Sequence, residues 1–316
     1  MSLERALELA ERGRGGTHPN PVVGAVLARD GEVVGEGWHR EAGGPHAEIL
    51  ALAEAGERAR GATLFVTLEP CSHHGRTPPC ADAVVAAGVA RVVAGAEDPN
   101  PLVAGAGLRR LRAAGVEVEV AAGEAGFRCR AQNEAWRTWI ARGRPFVTLK
   151  LAATLDGRVA LPGSRWISGE ASRLLVHELR ADADAVAVGT GTARADRPAL
   201  TAREVGAVRQ PRRLVFGSGP LPEDLGLERV EGPLEEALAR LGGEGIQLLL
   251  LEGGPTLATA FLRAELVDRI LLFLAPILGG AGPALLGDLA APARLHRLTA
   301  SAVGHDVLLD AYVHEP

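Results

Sequence analysis

Three side chains able to ligate a transition metal, His46, Cys71 and Cys80, lie on one short stretch of this sequence. A further ionisable residue, Glu48, stands two positions after the histidine. One imidazole, two thiolates and a spare carboxylate suit a zinc ion that activates water. Three protein ligands leave the fourth tetrahedral position open, whereas structural zinc sites fill all four. Glu48 then has the chemistry of a proton shuttle between that water and a substrate. Two plainer readings stand beside this one. Free cysteine packs as a small hydrophobe, so the two thiols can be core residues. Alternatively, His73 or His74 completes a structural zinc site.

The spacing dictates how the chain must present these residues. Positions i and i+2 point apart inside a helix, so His46 and Glu48 can serve one site only from a first helical turn. Pro45 fits there, because the first amide of a helix needs no partner. Ile49, Leu50, Leu52 and Ala53 are then expected on the buried side. Pro79 can start a second helix in the same way, through Ala81–Ala87, with Cys80 in its first turn. The helix dipole favours a thiolate at that place.

The motif reads H-x-E followed by P-C-x8-C, with SHHGRTPP between the thiols. Nucleobase deaminases carry H-x-E with P-C-x-x-C, so the insert argues against a plain cytidine or nucleic-acid deaminase. With HPNPVVGAV (18–26), GEGWHREAGGPHAE (35–48), VTLEPCSHHGRTPPC (66–80) and EDPNPLVAGAGLRRLRAAGVEV (97–118), it resembles the deaminase half of the bifunctional riboflavin-biosynthesis deaminase/reductase family. VTLKLAATLDGRVA (147–160) and LLEGGPTLATAFL (250–262) resemble the reductase half. The resemblance spans nearly the whole chain.

The resemblance implies an N-terminal three-layer α/β/α cytidine-deaminase-like domain and a C-terminal dihydrofolate-reductase-like α/β domain. It implies zinc-dependent hydrolytic deamination of 2,5-diamino-6-(5-phosphoribosylamino)pyrimidin-4(3H)-one. NADPH would then reduce the ribosyl side chain of 5-amino-6-(5-phosphoribosylamino)uracil to ribityl. Nucleotide contacts are implied for Ala152, Trp166, Thr192, Asp196 and Ser218, and for Gly254, Pro255, Thr256, Leu257, Ala258, Thr259 and Ala260. Substrate contacts are implied for Ser164, Arg180, Leu200, Arg203 and Glu252, and two of these, Arg180 and Arg203, make chemical sense as a clamp on a 5′-phosphate. In the deaminase half a basic residue at Arg76 would meet the ribose phosphate, where the plain alternative is a solvated surface arginine. Asn20, in a proline-flanked turn, can donate to a pyrimidine edge or simply make the turn. His39 is expected to be a packing or surface residue.

Composition narrows the classes. At 316 residues the length favours about two domains. Aromatic residues are only 3%, so the cores must be built of Leu, Val and Ala. A net charge of −5 without a long basic run disfavours a nucleic-acid partner. Local basic clusters would suit a phosphorylated small substrate, and the resemblance implies that such partners are pyrimidines. The opening MSLERALELAERG reads as an amphipathic helix and not a signal peptide. The greasiest run, Ile270–Leu278, contains Pro276 and is too short to span a bilayer. A reducing cytoplasm is therefore expected. A homo-oligomer, dimer or tetramer, is a separate expectation. Cys129 reads as a plain thiol.

Along the chain, Asp30-Gly31 between two apolar runs predicts a β-hairpin. Short apolar strands then alternate with helices, which indicates a sheet covered on both faces. Glu124–Arg142 reads as one helix leading to a boundary near residue 144, so the domains are 1–144 and 145–316. In the second, Ser168 can cap a helix over Glu170–Arg180, and Gly189-Thr190-Gly191-Thr192 reads as a loop after a strand. Strand, Gly253-Gly254 and helix start can make an anion-binding arrangement, where the plain alternative is a turn. No G-x-G-x-x-G follows a strand, so a Rossmann fingerprint is absent. Asp156, Lys150 and Glu252 are the ionisable candidates for a proton donor, and the sequence does not choose among them. Two rivals remain: a single-function nucleoside or nucleic-acid deaminase with a degenerate nucleotide-binding C-terminal domain, and a binding protein whose reductase half is degenerate.

Overall fold

The computed structural model describes residues 3–72, 79–101, 104–207 and 209–316. The chain forms two compact units that divide between Arg142 and Gly143.

The first unit contains α1 (Leu3–Glu11), β1 (Gly24–Arg29), β2 (Glu32–Trp38), α2 (Ala47–Ala55), β3 (Thr63–Val66), α3 (Cys80–Ala86), β4 (Arg91–Ala94), α4 (Ala106–Ala113), β5 (Glu117–Val120), α5 (Gly123–Gln132) and α6 (Glu134–Arg142). Its sheet runs β2-β1-β3-β4-β5, with β1 antiparallel to both neighbours and β3, β4 and β5 parallel. Period-two alternation sends side chains to two separate cores. Ala25, Leu27, Leu64, Val66, Val92 and Ala94 pack with α2, α3 and α4. Val26, Phe65 and Val93 pack on the other side with α1 and α5. The result is the expected three-layer α/β/α sandwich. The β1–β2 turn has Asp30 at φ 50° and Gly31 at φ 86°, the pair of left-handed residues that a tight hairpin needs.

Two expectations fail here for identifiable reasons. The buried residues of α2 are Ala47, Glu48, Ala51 and Ala55; of the expected Ile49, Leu50, Leu52 and Ala53, Leu52 packs partly buried against the core and Ala53 is exposed. Gly35 and Gly37 of β2 bring the strand against the helix backbone. A Cβ on either would lie 2.3 Å from a carbonyl oxygen of α2, so only alanine fits in that interface. The single helix expected over Glu124–Arg142 is broken at Asn133, whose φ/ψ of −119°/26° is not helical. Its carboxamide accepts from the amide of Val22 and donates to the carbonyl of Val22.

The second unit contains β6 (Phe146–Thr154), α7 (Glu170–Asp182), β7 (Ala185–Gly189), α8 (Thr190–Asp196), β8 (Arg212–Phe216), β9 (Glu228–Val230), α9 (Leu234–Gly243), β10 (Leu248–Leu251), α10 (Pro255–Arg263), β11 (Arg269–Ala275), β12 (His296–Val303) and β13 (Asp306–Tyr312). The eight strands run β12-β13-β11-β6-β10-β7-β8-β9. From β11 to β9 all pairings are parallel, while β13 and β12 pair antiparallel. Leu249 and Leu251 pack toward α9 and α10, and Leu250 packs with Val186, Val188 and Val215 on the opposite face. This is the mixed α/β sheet anticipated for the reductase half.

The Gly189–Thr192 stretch is not a loop, because Thr190 already begins α8 with Gly189 as its N-cap. Ser168 is not the cap of α7. Gly169 holds that position, and the Asp306 carboxylate accepts both the Gly169 amide and the Ser172 hydroxyl. A residue on a distant strand thus does the capping. Three elements went unanticipated, namely β9, α9 and β12. The first has three residues, and the last is exposed along most of its length and so has no alternation to read.

Candidate active sites

In the first unit the metal motif closes on itself. His46 is the N-cap of α2, with Pro45 one residue outside the helix, and Cys80 is the first residue of α3. The Nδ1 atom of His46 lies 3.2 Å from Sγ of Cys80 and 3.6 Å from Sγ of Cys71. A tetrahedral zinc with bonds of about 2.0–2.3 Å needs donor separations of about 3.3–3.8 Å; the 3.6 Å separation falls in that range and the 3.2 Å one a tenth of an ångström below it, a donor set close to what the ion requires. All three donor atoms lie within 4.8 Å of one another. Hydrogen bonds from Cys80, then from His46 and the Cys80 amide, pull the Cys71 thiol down to about 4 against the effect of burial. Its hydrogen bond to Cys71, then burial, push the Cys80 thiol up. Two cysteine sulfurs and an imidazole so close together form a donor set that can exchange protons for a cation.

Glu48 is one residue into α2, 3% exposed, and burial raises its carboxyl to about 7. A carboxyl so placed can hold or release a proton near neutrality. Asn20 and His39 come together at 3.3 Å. The other nitrogen of His39, Nδ1, is 3.0 Å from the carbonyl of Pro45 and must donate to it. His39 Nε2 then accepts from the Asn20 amide group, which fixes which end of that carboxamide is left for a ligand. His39 is 4% exposed with both ring nitrogens partnered, in keeping with the packing residue expected. Arg76, His73 and His74 lie outside the described residues.

Glu69 was also missed, although it stands two positions before Cys71. Its buried carboxylate accepts amides from Asp98, Gly105, Gly107 and Leu108. It thereby fastens the strand end that carries Cys71 to the start of α4.

In the second unit a cleft of about 1610 Å³ opens along the ends of β6, β10, β7 and β8. Ala152, Trp166, Thr192, Asp196 and Ser218 line it, as do Gly254, Pro255, Thr256, Leu257 and Ala260. Ala258 and Thr259 do not. Ala258 is packed in the core, and the Thr259 hydroxyl accepts the Gly287 amide. On a helix, successive residues cannot all face one ligand, which corrects the unbroken range Gly254–Ala260. The N-terminus of α10 faces the cleft beside Thr192, a setting suited to a nucleotide pyrophosphate. Trp166, 54% exposed, stands between the guanidinium groups of Arg165 and Arg173.

Ser164, Arg180, Leu200, Arg203 and Glu252 also line the cleft. Leu200 as a whole residue is only 1% exposed and packs in the core beneath the cleft, so it shapes the wall without offering a polar group to a ligand. Arg180 commits its fork to Glu252 through bonds of 2.6 and 2.9 Å. That corrects the expected two-arginine phosphate clamp and leaves Arg203 as the exposed member of the pair. Burial works against the charge on Glu252, yet the Arg180 hydrogen bonds and Lys150 hold its carboxyl below the ordinary value. Asp156 is held down to about 2 by the Thr154 hydroxyl and the amides of Gly279 and Gly280. Neither carboxylate is suited to donate a proton. Lys150, at the cleft and 4.0 Å from Glu252, has its pKa lowered chiefly by burial.

Comparison with known proteins agrees with both halves. The model of the cytidine and deoxycytidylate deaminase zinc-binding region matches residues 2–96, and that of the RibD C-terminal domain matches residues 145–309. The riboflavin biosynthesis protein RibD of Aquifex aeolicus is 43% identical over 91% of this chain and 89% of that protein. RibD of Mycobacterium tuberculosis is 44% identical over 90% of this chain and 86% of its own. Among solved structures, Acinetobacter baumannii RibD superposes with a TM-score of 0.83 at 39% identity, covering 98% of this chain and 97% of that one. A Thermotoga maritima protein described as a diaminohydroxyphosphoribosylaminopyrimidine deaminase/5-amino-6-(5-phosphoribosylamino)uracil reductase gives 0.82 at 34% identity, with coverage of 98% and 97%. The single-function alternatives are not favoured.

Proposed function

This chain belongs to the RibD family of riboflavin-biosynthesis proteins, and on that footing we propose that its two units act in turn on one phosphorylated pyrimidine. It is a bifunctional enzyme with a zinc-binding deaminase domain and a pyrimidine reductase domain. The substrates are those named for the Thermotoga relative, with the diaminopyrimidinone deaminated first and the resulting uracil reduced on its ribosyl side chain. The observation that carries this reading is His46 Nδ1 meeting both cysteine sulfurs beside a buried Glu48.

His46, Cys71 and Cys80 would hold zinc, which supplies Lewis acidity and lowers the pKa of water. Glu48 takes a proton from the attacking water, gives it to the ring nitrogen, and later helps ammonia leave. Asn20, oriented by His39, addresses the pyrimidine edge, and Arg76 the ribose phosphate. In the reductase cleft Ala152, Trp166, Thr192, Asp196, Ser218 and the start of α10 would hold NADPH, which when bound would supply a hydride for the ribosyl carbon. Lys150 donates the proton, Glu252 holds Lys150 and Arg180 in place, and Arg203 meets the 5′-phosphate. Ser164 completes the substrate side, with Leu200 shaping the wall behind it.

The test is to incubate purified protein with the diaminopyrimidine substrate. Ammonia should be released without NADPH, and NADPH should be consumed only after the deaminated product forms. Release without any subsequent oxidation of NADPH would overturn the second half of the reading.

We place the reactions in the cytoplasm, where thiols stay reduced. Among the described residues no helix is long and apolar enough to cross a membrane. We also read the protein as a homo-oligomer, dimer or tetramer. Leu298 on the edge strand β12 is 60% exposed, which suits an assembly surface, and sedimentation tests this.

A further inference from the structure

The segment after α8 holds an unusual backbone. Arg197, Leu200 and Glu204 all have positive φ, at 44°, 53° and 67°. Such conformations are costly for residues other than glycine and persist only where the surroundings over-determine them. Leu200 and Glu204 bracket Thr201, Ala202 and Arg203, so the strain surrounds the cation that faces the cleft. The loop has no sheet or helix pairing of its own, and side chains hold it instead. Leu200 is sunk among Val186, Val188 and Val215. The Thr201 carbonyl accepts Arg180 Nη1 at 3.3 Å, and the ring of His177 lies 3.0 Å from that carbonyl and 3.2 Å from the Arg203 amide.

The remaining fastening comes from outside the cleft. Gln210 accepts the Ala202 amide at 2.9 Å and returns its own Nε2–H to the Ala202 carbonyl at 2.8 Å. Both backbone groups of the residue before Arg203 are thereby satisfied by one side chain. Gln210 itself precedes Pro211, which biases its backbone to an extended form, and β8 begins at Arg212. The side chain therefore transmits the position of the sheet to the loop.

We infer that Gln210 is a positioning residue for the reductase, holding Ala202 so that the strained loop presents Arg203 to the substrate phosphate. The inference rests on the reading of Arg203 given above. Gln210 is exposed, so its replacement leaves the core untouched. Gln210→Ala should raise the KM for the phosphorylated uracil roughly three- to tenfold, with kcat and NADPH binding little changed. Gln210→Glu, similar in shape but setting an oxygen against the Ala202 carbonyl, should do the same. Deaminase turnover on the same chain serves as the control for folding.

The decisive measurement is a double-mutant cycle with Arg203→Ala, repeated with the dephosphorylated substrate. Adding Gln210→Ala to Arg203→Ala should cost nothing more, and neither variant should matter without the phosphate. A KM raised by Arg203→Ala but not by Gln210→Ala overturns the inference alone, as do additive effects. A KM unmoved by Arg203→Ala overturns the phosphate reading, and the inference with it.

Discussion

Arg180 and Glu252, on a helix and at a strand end 72 residues apart, meet in a two-pronged ion pair with bonds of 2.6 and 2.9 Å. The pair is nearly enclosed, with side-chain exposures of 13% and 10%. Lys150, the only lysine in the chain, lies 4.0 Å from the same carboxylate. Three charges thus share one wall of the reductase cleft, where the two cations keep Glu252 ionised while Glu252 and Arg180 act in opposite directions on Lys150.

Glu252→Gln tests Lys150 as the acid. Burial lowers the Lys150 pKa, the Glu252 charge raises it, and Arg180 lowers it. With a neutral glutamine only the lowering influences remain, so the pKa falls further. A proton donor must be protonated, so reductase kcat declines as pH rises through that pKa. The alkaline limb of the kcat profile should move to lower pH in the variant. A limb that stays in place removes Lys150 from the role.

Glu48→Gln should reduce deamination by about 10²–10⁴-fold, the usual contribution of a positioned acid–base group. Zinc should remain at wild-type content, and reduction of supplied deaminated substrate should be untouched. Elemental analysis and the two separate assays check this. Wild-type deaminase turnover in the variant would leave Glu48 without a shuttle role.

Metal removal should split the two activities. A strong chelator, or Cys80→Ser, should strip about one zinc per chain and abolish ammonia release, because the donor set closes only with all three residues. NADPH oxidation with the deaminated substrate should continue at the original rate. Loss of both activities together would show that zinc is structural for the whole protein.

Asp156 supplies a pH-dependent contribution to stability. Its folded pKa, about 2, lies below the unfolded value of about 3.9. The stabilisation is therefore present above the unfolded value and is lost as pH falls toward 2. Asp156→Asn should lower Tm at pH 7, and the gap from wild type should narrow between pH 4 and pH 2 in calorimetric scans. An unchanging gap would assign the loss to shape and not to charge.

The sequence by itself determined the chemistry of the metal site and much of the layering. Residue type settles which atoms can bind zinc, so His46, Cys71 and Cys80 are legible before any fold. Local periodicity and turn chemistry revealed most strands, the Asp30-Gly31 hairpin and the two helix starts that carry ligands. Tertiary structure decided what local pattern cannot encode. Alanines line the buried side of α2 because Gly35 and Gly37 come from another element. The break at Asn133 answers to Val22, the cap of α7 comes from Asp306, and Arg180 is taken by Glu252. In each case a polar group or a close approach is satisfied by a partner distant in the chain. Hydrogen-bonding demand is a property of one residue, but its fulfilment is a property of the packed fold.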